Sequence, residues 1–376
     1  MPLRTLCTLM LSGALAITTS AGNANARLVA TAAAPRLEET ARMTVPRFAH
    51  SATALMDGRV LVAGGFTQES DGAAGAELYD ARTERFVVAG RMRTLRQSHT
   101  ATRLPDGKVL IAGGYAAGNA VTSSAEIYDP ASNSFSPTGS LSAARAGHVA
   151  VLLPQGKVLL IGGIGPGWSF LSSAELYDPT TGRFVSTGAM AVPRESHAAV
   201  RLRDGRVLVI GGHRGRRAEI VIYASAEVYD PATGSFQGAG DMALPRHKHD
   251  ALLLADGRVL VTAGSDHRDA KGVYTSTELY DPRSAIFTPG APLQRGRYKH
   301  QQTAILLPGG DVLLAGGATQ AERYEARTGT FSLVESRVRM AGQFSAAALL
   351  PRGGVLITGG YGDDGGPRQT AWVYRP

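Results

Sequence analysis

The chain repeats one pattern seven times, and this repeat restricts the fold more than any other feature of the sequence. Each copy runs from a short apolar segment through an Asp-Gly-like turn to a second apolar segment that ends in Gly-Gly or Ala-Gly. The second glycines of these pairs are Gly65, Gly114, Gly163, Gly212, Gly264, Gly317 and Gly360. Because a period of about 50 residues marks stacked repeats, we expect the 376 residues to form one repeat array and not two or three domains.

Each copy also has the features of four short strands. Asp-Gly pairs such as Asp57-Gly58 favour a tight hairpin turn, and the apolar run that follows at 60–63 suits a strand buried on both faces. A Glu-x-Tyr-Asp element marks the third strand in most copies, first at 77–80. An aromatic residue marks the fourth strand, namely Phe86, Phe135, Phe184, Phe236, Phe287 and Phe331. The pattern predicts an all-β fold in which seven four-stranded antiparallel blades form a β-propeller.

The copies resemble the kelch repeat, in which a double glycine follows an apolar strand and a Tyr, an outer-strand aromatic and an Arg come later. The resemblance covers about 35–376 and implies a propeller similar in fold to galactose oxidase. It has three departures: Phe replaces the usual outer-strand Trp, the fifth copy has Ala263-Gly264, and the seventh reaches Pro376 without a fourth strand. The copper oxidases of that fold use a cofactor of cross-linked Tyr and Cys, so the position of any Cys matters.

The missing fourth strand of blade seven is expected near the N-terminus. In most copies the outer aromatic is followed six residues later by Met or Leu, as Phe86 is by Met92, and Leu37 and Met43 keep the same interval. Residues about 35–43 should therefore form the outer strand of blade seven and close the ring without a disulfide.

The first 26 residues have the pattern of a secretory signal peptide. Arg4 is followed by an apolar stretch and by Ala24-Asn25-Ala26, a small-x-small cleavage site. We therefore expect cleavage after Ala26, one propeller at 27–376, and export to the periplasm or out of the cell. The single Cys, Cys7, would be removed with the signal peptide. Without a thiolate, the mature chain is excluded from copper-oxidase activity of the cross-linked type.

Charge and hydropathy limit the partners. The formal net charge is +8, and no apolar run is long enough to cross a bilayer. In an exported protein this balance favours acidic partners, such as an anionic glycan or an acidic protein, over nucleic acid. A solvated basic surface explains the charge equally well. We expect a monomer without a membrane span.

Polar residues recur at fixed positions and form ladders around the ring. One ladder, at the start of the innermost strand, is His50, His99, His148, His197 and His249, followed by Gln302 and Ser345. A second, three residues earlier, is Arg47, Arg96, Arg145, Arg194 and Arg246, followed by Lys299 and Gly342. A third is Glu77, Glu126, Glu175, Glu227, Glu278 and Glu322, with Trp372 in the last copy. Because the cation and the carboxylate are lost together in the last copy, we predict a buried bidentate Arg–Glu pair within each blade. For the histidines we favour a structural role over metal or anion binding.

Function is expected where the copies differ, in the loops that follow the double glycines. The longest inserts lie in copies four and five. If these loops share the channel end at which the histidines lie, they form a cationic and aromatic mouth suited to an acidic sugar; solvated loops are the alternative. The candidate ligand-binding residues are Trp168, His213, Arg214, Arg216, Arg217, Tyr223, His247, His267, Arg268, Tyr274, Arg297 and Tyr361.

Two functions fit these observations. The first is an exported scaffold that presents a propeller face to an acidic glycan or a partner protein. The second is an enzyme acting on an acidic saccharide, as a polyanion lyase or a sugar mutarotase or epimerase, activities found on propellers similar to this one. Tyr298, His300 or His267 would then serve as the base. Because no HExxH, GxSxG or P-loop motif is present, we expect no metal and no cofactor, and we favour binding over catalysis.

Overall fold

A computed structural model describes residues 35–68, 75–361 and 365–376 and has the predicted seven blades. The predicted signal peptide at 1–26 lies outside these residues. Each blade is an antiparallel sheet whose strands pair in sequence order, except that blade seven also uses the N-terminal strand. The first strands of neighbouring blades contact one another around the central channel. The predicted all-β propeller is therefore confirmed.

The strands of each blade run from the channel outward. Blade one contains Ser51–Ala54, Arg59–Ala63, Gly75–Asp80 and Arg85–Arg91; blade two contains Thr100–Arg103, Val109–Ala112, Ala125–Asp129 and Ser134–Pro137. Blade three contains Val149–Leu152, Val158–Ile161, Ala174–Asp178 and Arg183–Thr187; blade four contains Ala198–Arg201, Val207–Ile210, Ser225–Asp230 and Ser235–Asp241. Blade five contains Asp250–Leu253, Val259–Thr262, Thr277–Asp281 and Ile286–Pro289; blade six contains Ala304–Leu306, Val312–Leu314, Glu322–Glu325 and Thr330–Leu333. Blade seven contains Ala346–Leu349, Val355–Thr358, Ala371–Arg375 and Arg36–Glu39.

Short elements occupy the loops between the second and third strands. One-turn 3-10 helices lie at Ala117–Asn119, Pro166–Trp168, Arg217–Glu219 and Asp269–Lys271, and another precedes a second strand at Pro351–Gly353. Blade four also has a small hairpin, His213–Arg214 with Val221–Ile222. No helix in the described ranges is long and apolar enough to cross a membrane.

The core lies between the blades, and the second strands contribute most of it. Val158–Ile161 is fully buried, and its side chains pack with residues of blade two such as Leu104 and Leu110. Burying one such aliphatic side chain contributes roughly 1.5–3 kcal/mol. The glycines after the strand allow the next blade to approach. A Cβ on Gly162, which has a φ of +62°, would lie only 2.6 Å from the carbonyl oxygen of Arg194.

The N-terminal strand closes the ring, as predicted. Arg36–Glu39 pairs antiparallel with Ala371–Arg375, and Glu335–Ser336 adds a short parallel pairing on its outer side. The strand is shorter than the predicted 35–43, because the chain turns toward blade one after residue 39. Met43 is nevertheless buried. This pairing covers the edge that blade seven would otherwise expose.

Six buried ion pairs connect the segment before each first strand to the third strand of the same blade. In blade three the Nη2 of Arg145 donates to Oε1 of Glu175 (2.8 Å), while Nη1 donates to the carbonyl of Gly162 (2.9 Å). The second oxygen of Glu175 accepts the backbone N–H of Ser142 (2.7 Å). Pairing within the blade is confirmed, but the bidentate form is wrong, because Nη1 of the arginine and the second oxygen of the glutamate bind backbone groups instead. The pairs are Arg47–Glu77, Arg96–Glu126, Arg145–Glu175, Arg194–Glu227, Arg246–Glu278 and Arg297–Glu322.

Most of the ladder histidines connect neighbouring blades. The Nε2 atom of His99 lies 3.0 Å from Oγ of Ser51, and that of His148 lies 3.0 Å from Oγ1 of Thr100. Each hydroxyl belongs to the residue that opens the previous blade's first strand. Burial lowers the pKa of His99 to about 3 and that of His148 well below its ordinary value. The imidazoles are therefore neutral structural links at neutral pH, which supports the structural role predicted for them.

Two histidines lack this link. Neither ring nitrogen of His197 or His249 has a hydrogen-bond partner in the described structure. The residues that open the previous blades' first strands are Val149 and Ala198, which carry no hydroxyl. The missing bonds thus follow directly from two sequence positions.

Blade six corrects the predicted ladders by two residues. Arg297, and not Lys299, pairs with Glu322 (3.0 Å), and His300, and not Gln302, is the buried ladder histidine. Residues 301–303 lie between this histidine and the first strand, whereas in the other blades the strand begins directly after the ladder residue. Asp250 of blade five stabilises the resulting turn, because its Oδ2 accepts the backbone N–H groups of residues 303 and 304 at 2.8 Å each.

Candidate site at the channel mouth

A belt of seven residues with left-handed backbone surrounds one end of the channel. Each precedes a ladder histidine or its counterpart Ser345, and the φ angles lie between 50° and 61°. Neighbours are joined through the backbone: Ser98 N–H donates to the carbonyl of Ala49 (3.0 Å), and that of Lys299 to Lys248 (3.0 Å). The belt therefore places one residue of each blade at the mouth. Its members are Ala49, Ser98, Gly147, Ser196, Lys248, Lys299 and Phe344.

The belt is asymmetric. Blades one to four contribute Ala, Ser, Gly and Ser, which leave space, whereas blades five to seven contribute Lys248, Lys299 and Phe344. The space is a pocket of about 290 Å³, and Tyr115 and Glu195 also line it. Below the belt it meets the central channel, since His197 lines both. Seven equivalent backbone positions thus carry different chemistry, as expected of a binding site on a symmetric scaffold.

Aromatic rings surround the lysine of blade six. The Nζ atom of Lys299 lies 5.0 Å from the ring centroid of Tyr298, 5.1 Å from that of Phe344 and 5.2 Å from that of Tyr361. It also donates a 2.5 Å hydrogen bond to the hydroxyl of Tyr361. Burial raises the pKa of Tyr361 above its ordinary value, so the phenol stays protonated. These cation–π contacts hold the ammonium group at the mouth.

Further ionisable groups lie at the mouth on blades four and five. The Nδ1 atoms of His213 and His247 are 3.2 Å apart, and Nε2 of His213 lies 3.4 Å from Oε2 of Glu195. Lys248 donates to Asp269 (2.7 Å). Burial, together with the nearby His213 and Lys248, lowers the pKa of His247 to about 3. Both imidazoles are buried behind Glu195, so the carboxylate is the group that faces the pocket.

An aromatic platform extends from the mouth across blades two to four. The guanidinium carbon of Arg216 lies 3.4 Å from the centroid of the Trp168 ring, and the Trp168 and Tyr115 centroids are 6.3 Å apart. Burial raises the pKa of Tyr115 to about 12, so its hydroxyl remains a donor. Arg214 and Arg217 are exposed in the same loop of blade four.

The predicted ligand-binding residues therefore fall into three groups. His213, His247, Trp168, Arg216 and Tyr361 lie in or beside the mouth. Tyr223 and Tyr274 stack on the buried ladder arginines of their own blades, and Arg297 is itself a buried ladder arginine. His267 and Arg268 are exposed on the blade five loop, where Arg268 pairs with Asp266.

The three residues predicted as a catalytic base do not converge. His300 is buried, binds the carbonyl of Thr262 (3.2 Å) and has a pKa lowered by burial to about 3. Tyr298 lies under Lys299, and His267 is exposed on a loop. The important mouth residues that the sequence prediction did not select are Glu195, Lys248, Lys299 and Phe344. They could have been found by their position, because each lies one or two residues before a ladder histidine or Ser345.

The comparisons with known proteins agree with this architecture. Residues 98–142 and 196–243 match the Kelch motif family, and no curated protein matches the sequence. One similar solved structure is a fungal alcohol oxidase of the AA5 family in complex with copper, with 15% identity, 91% of this chain and 76% of that chain covered, and a TM-score of 0.71. Another is YjhT, with 14% identity, 79% and 99% covered, and a TM-score of 0.61. At such identities the likeness concerns the fold.

Seven antiparallel blades make the chain a β-propeller, and two of its repeats match the Kelch motif. The copper in the fungal oxidase complex is a property of that protein. Within the described ranges there is no group of three or more His, Cys, Asp or Glu residues that could hold a metal ion, and no Cys. His213 and His247 use their facing Nδ1 atoms for a mutual hydrogen bond.

Proposed function

We propose that this propeller is an exported binding protein that takes an acidic saccharide at the channel mouth. A kelch propeller suits a binding or scaffold role, and the belt provides the specificity. The observation that carries the proposal is the adjacent pair Lys248 and Lys299 in one pocket with aromatic rings and Glu195. The volume of about 290 Å³ is at the lower end of the roughly 300–1,000 Å³ typical of small-molecule sites.

The chemistry of the pocket matches the three parts of such a ligand. The two ammonium groups attract a carboxylate or sulfate, and their positions are held by a backbone bond between them and by contacts with Asp269 and Tyr361. Glu195 accepts hydrogen bonds from sugar hydroxyls, as charged acceptors do strongly. The exposed parts of Phe344 and Tyr115 offer apolar faces to a pyranose ring.

Export and the enzymatic alternative have their own tests. Export rests on the 1–26 pattern and predicts a mature N-terminus at Arg27 in protein recovered from the periplasm or medium. The lyase alternative predicts unsaturated products that absorb in the ultraviolet when the protein is incubated with uronic-acid polymers. The mutarotase or epimerase alternative predicts faster anomer or epimer exchange in the sugar NMR spectrum.

The decisive experiment compares galacturonic acid with galactose by isothermal titration calorimetry. We expect the acid to bind more tightly, and Lys248→Met and Lys299→Met each to weaken its binding about tenfold, since a partly buried charge pair contributes on the order of 1–2 kcal/mol. Lys157→Met, in the exposed turn between the first two strands of blade three, removes the same charge and should have no effect. Equal affinity for galactose, or an equal loss in the Lys157 variant, would refute the proposal. Preferential binding of oligoglutamate would indicate an acidic protein partner instead.

A further inference from the structure

Trp168 is an unusual residue for the backbone conformation at its position. It ends the one-turn 3-10 helix Pro166–Trp168 with a φ of +62°, a conformation that disfavours bulky side chains. Blade two has the same turn, Ala117–Asn119, and there the equivalent residue is Asn119 with a φ of +58°. Asn adopts this conformation far more readily than Trp. Strain retained at an exposed position points to a role in binding and not in folding.

The ring is presented to solvent and is already oriented. Trp168 is 48% exposed, although the guanidinium carbon of Arg216 lies 3.4 Å from the centroid of its ring. A stacked guanidinium group keeps its N–H donors in its own plane, where they are available to an anion. No ion pair joins Arg216 to a carboxylate among the residues that the structure describes.

The platform is continuous with the mouth. Tyr115 lines the mouth pocket and lies 6.3 Å, centroid to centroid, from Trp168. The charges of Glu195, in the pocket, and Arg216, on the platform, both act on the Tyr115 phenol. A chain that begins in the pocket therefore meets an aromatic face and a free cation as its next contacts. Trp168 is therefore one aromatic ring away from the residues that line the pocket.

We propose that the ligand is an oligomer of an acidic sugar, with its terminal unit in the mouth pocket and the next unit stacked on Trp168 with its acid group bound by Arg216. This inference rests on the proposed function, because it uses the same pocket for the first unit. It adds a second subsite and a direction of entry, outward across blades two to four. It also separates the roles of the residues: the lysines select charge, and the platform selects length.

The test measures affinity against length for the full mature chain, with galacturonic acid and its 1,4-linked dimer and trimer. The dimer should bind about tenfold more tightly than the monomer, because stacking and a charged contact add on the order of 1.4 kcal/mol. Trp168→Asn, which copies blade two, should remove this advantage without weakening the monomer or lowering the melting temperature. Trp168→Phe should keep part of it. Arg216→Gln should reduce it, and Arg183→Gln, on an exposed outer strand of blade three, should not.

The outcomes separate this inference from the function on which it rests. If monomer and dimer bind equally, or if the Trp168→Asn variant keeps the dimer's advantage, the second subsite is refuted while the mouth site stands. If none of the uronates binds, the proposed function fails and the inference fails with it. A dimer preference that disappears in the Trp168→Asn variant and falls in the Arg216→Gln variant, with monomer affinity unchanged, supports both.

Discussion

Acidification should destabilise this propeller strongly, because its six ladder histidines are buried and neutral. They are His50, His99, His148, His197, His249 and His300, and burial is the largest cause that lowers the pKa of each. The unfolded chain binds protons at these residues near pH 6.5, and the folded chain does not. The stabilisation is therefore complete above pH 6.5 and is lost as the pH falls below it, toward the folded-state pKa values.

The magnitude follows from proton linkage. Between pH 7.5 and 5.5, each such histidine costs about 1.4 kcal/mol of the free energy of unfolding, so six cost about 8 kcal/mol. Asp250 acts in the opposite direction, because burial raises its pKa to about 6. Its protonation in the folded state returns only about 1 kcal/mol over the same interval. His247, whose pKa burial also lowers to about 3, adds about 1.4 kcal/mol to the loss. The resulting net loss of about 8 kcal/mol is comparable with the whole stability of a typical domain, roughly 5–15 kcal/mol.

Urea unfolding at pH 7.5, 6.5 and 5.5, followed by far-ultraviolet circular dichroism, measures this loss. The midpoint should fall steeply between pH 6.5 and 5.5. Replacing one ladder histidine, as in His197→Gln, should reduce the loss by about 1.4 kcal/mol. His267→Gln, at an exposed loop residue, should leave it close to the wild-type loss. A midpoint that is the same at pH 7.5 and 5.5 would refute the reasoning.

Three further predictions concern the scaffold. Glu126→Ala leaves Arg96 buried without its carboxylate, and should lower the free energy of unfolding by about 3–5 kcal/mol; a variant that melts like the wild type would contradict the structural role. Val149→Thr should supply a hydroxyl partner for His197, and Ala198→Ser one for His249. Each should raise the free energy of unfolding by about 1 kcal/mol; a lower melting temperature in both variants would count against the link between blades. Deleting residues 27–43 removes the outer strand of blade seven, and should lower the melting temperature sharply or make the protein insoluble; an unchanged melting curve would show that the ring does not need this strand.

The repeat made the scaffold predictable except in blade six, where an insertion led to the wrong ladder residues. Counting from one double glycine to the next located the strands, the outer strand at the N-terminus and the partners Arg and Glu in five blades. In blade six an insertion of two residues shifts the count, so the pattern predicts Arg297 as a ligand-binding residue and His300 as a candidate base, and neither as a ladder residue. The pairing that corrects this, Arg297 with Glu322, is a contact in space. The pattern around Gly317 does not reveal it, because a turn of any length fits between a ladder residue and its strand.

The mouth shows the complementary limit. Trp168, Arg216, His213 and His247 are recognisable as unusual loop residues, but Glu195 and Lys299 lie directly before the ladder positions and outside the long loops in which the copies are expected to differ. They become a site because the left-handed belt turns one residue of each blade toward the axis.

The sequence by itself thus determined the all-β propeller, the number of blades and the composition of the loops, because strand periodicity and turn chemistry are local and recur in every copy. Only the tertiary structure decided which side chains meet. Residues from blades two, four, five, six and seven, far apart along the chain, line one pocket, because closing the ring brings the same position of every blade to a common axis.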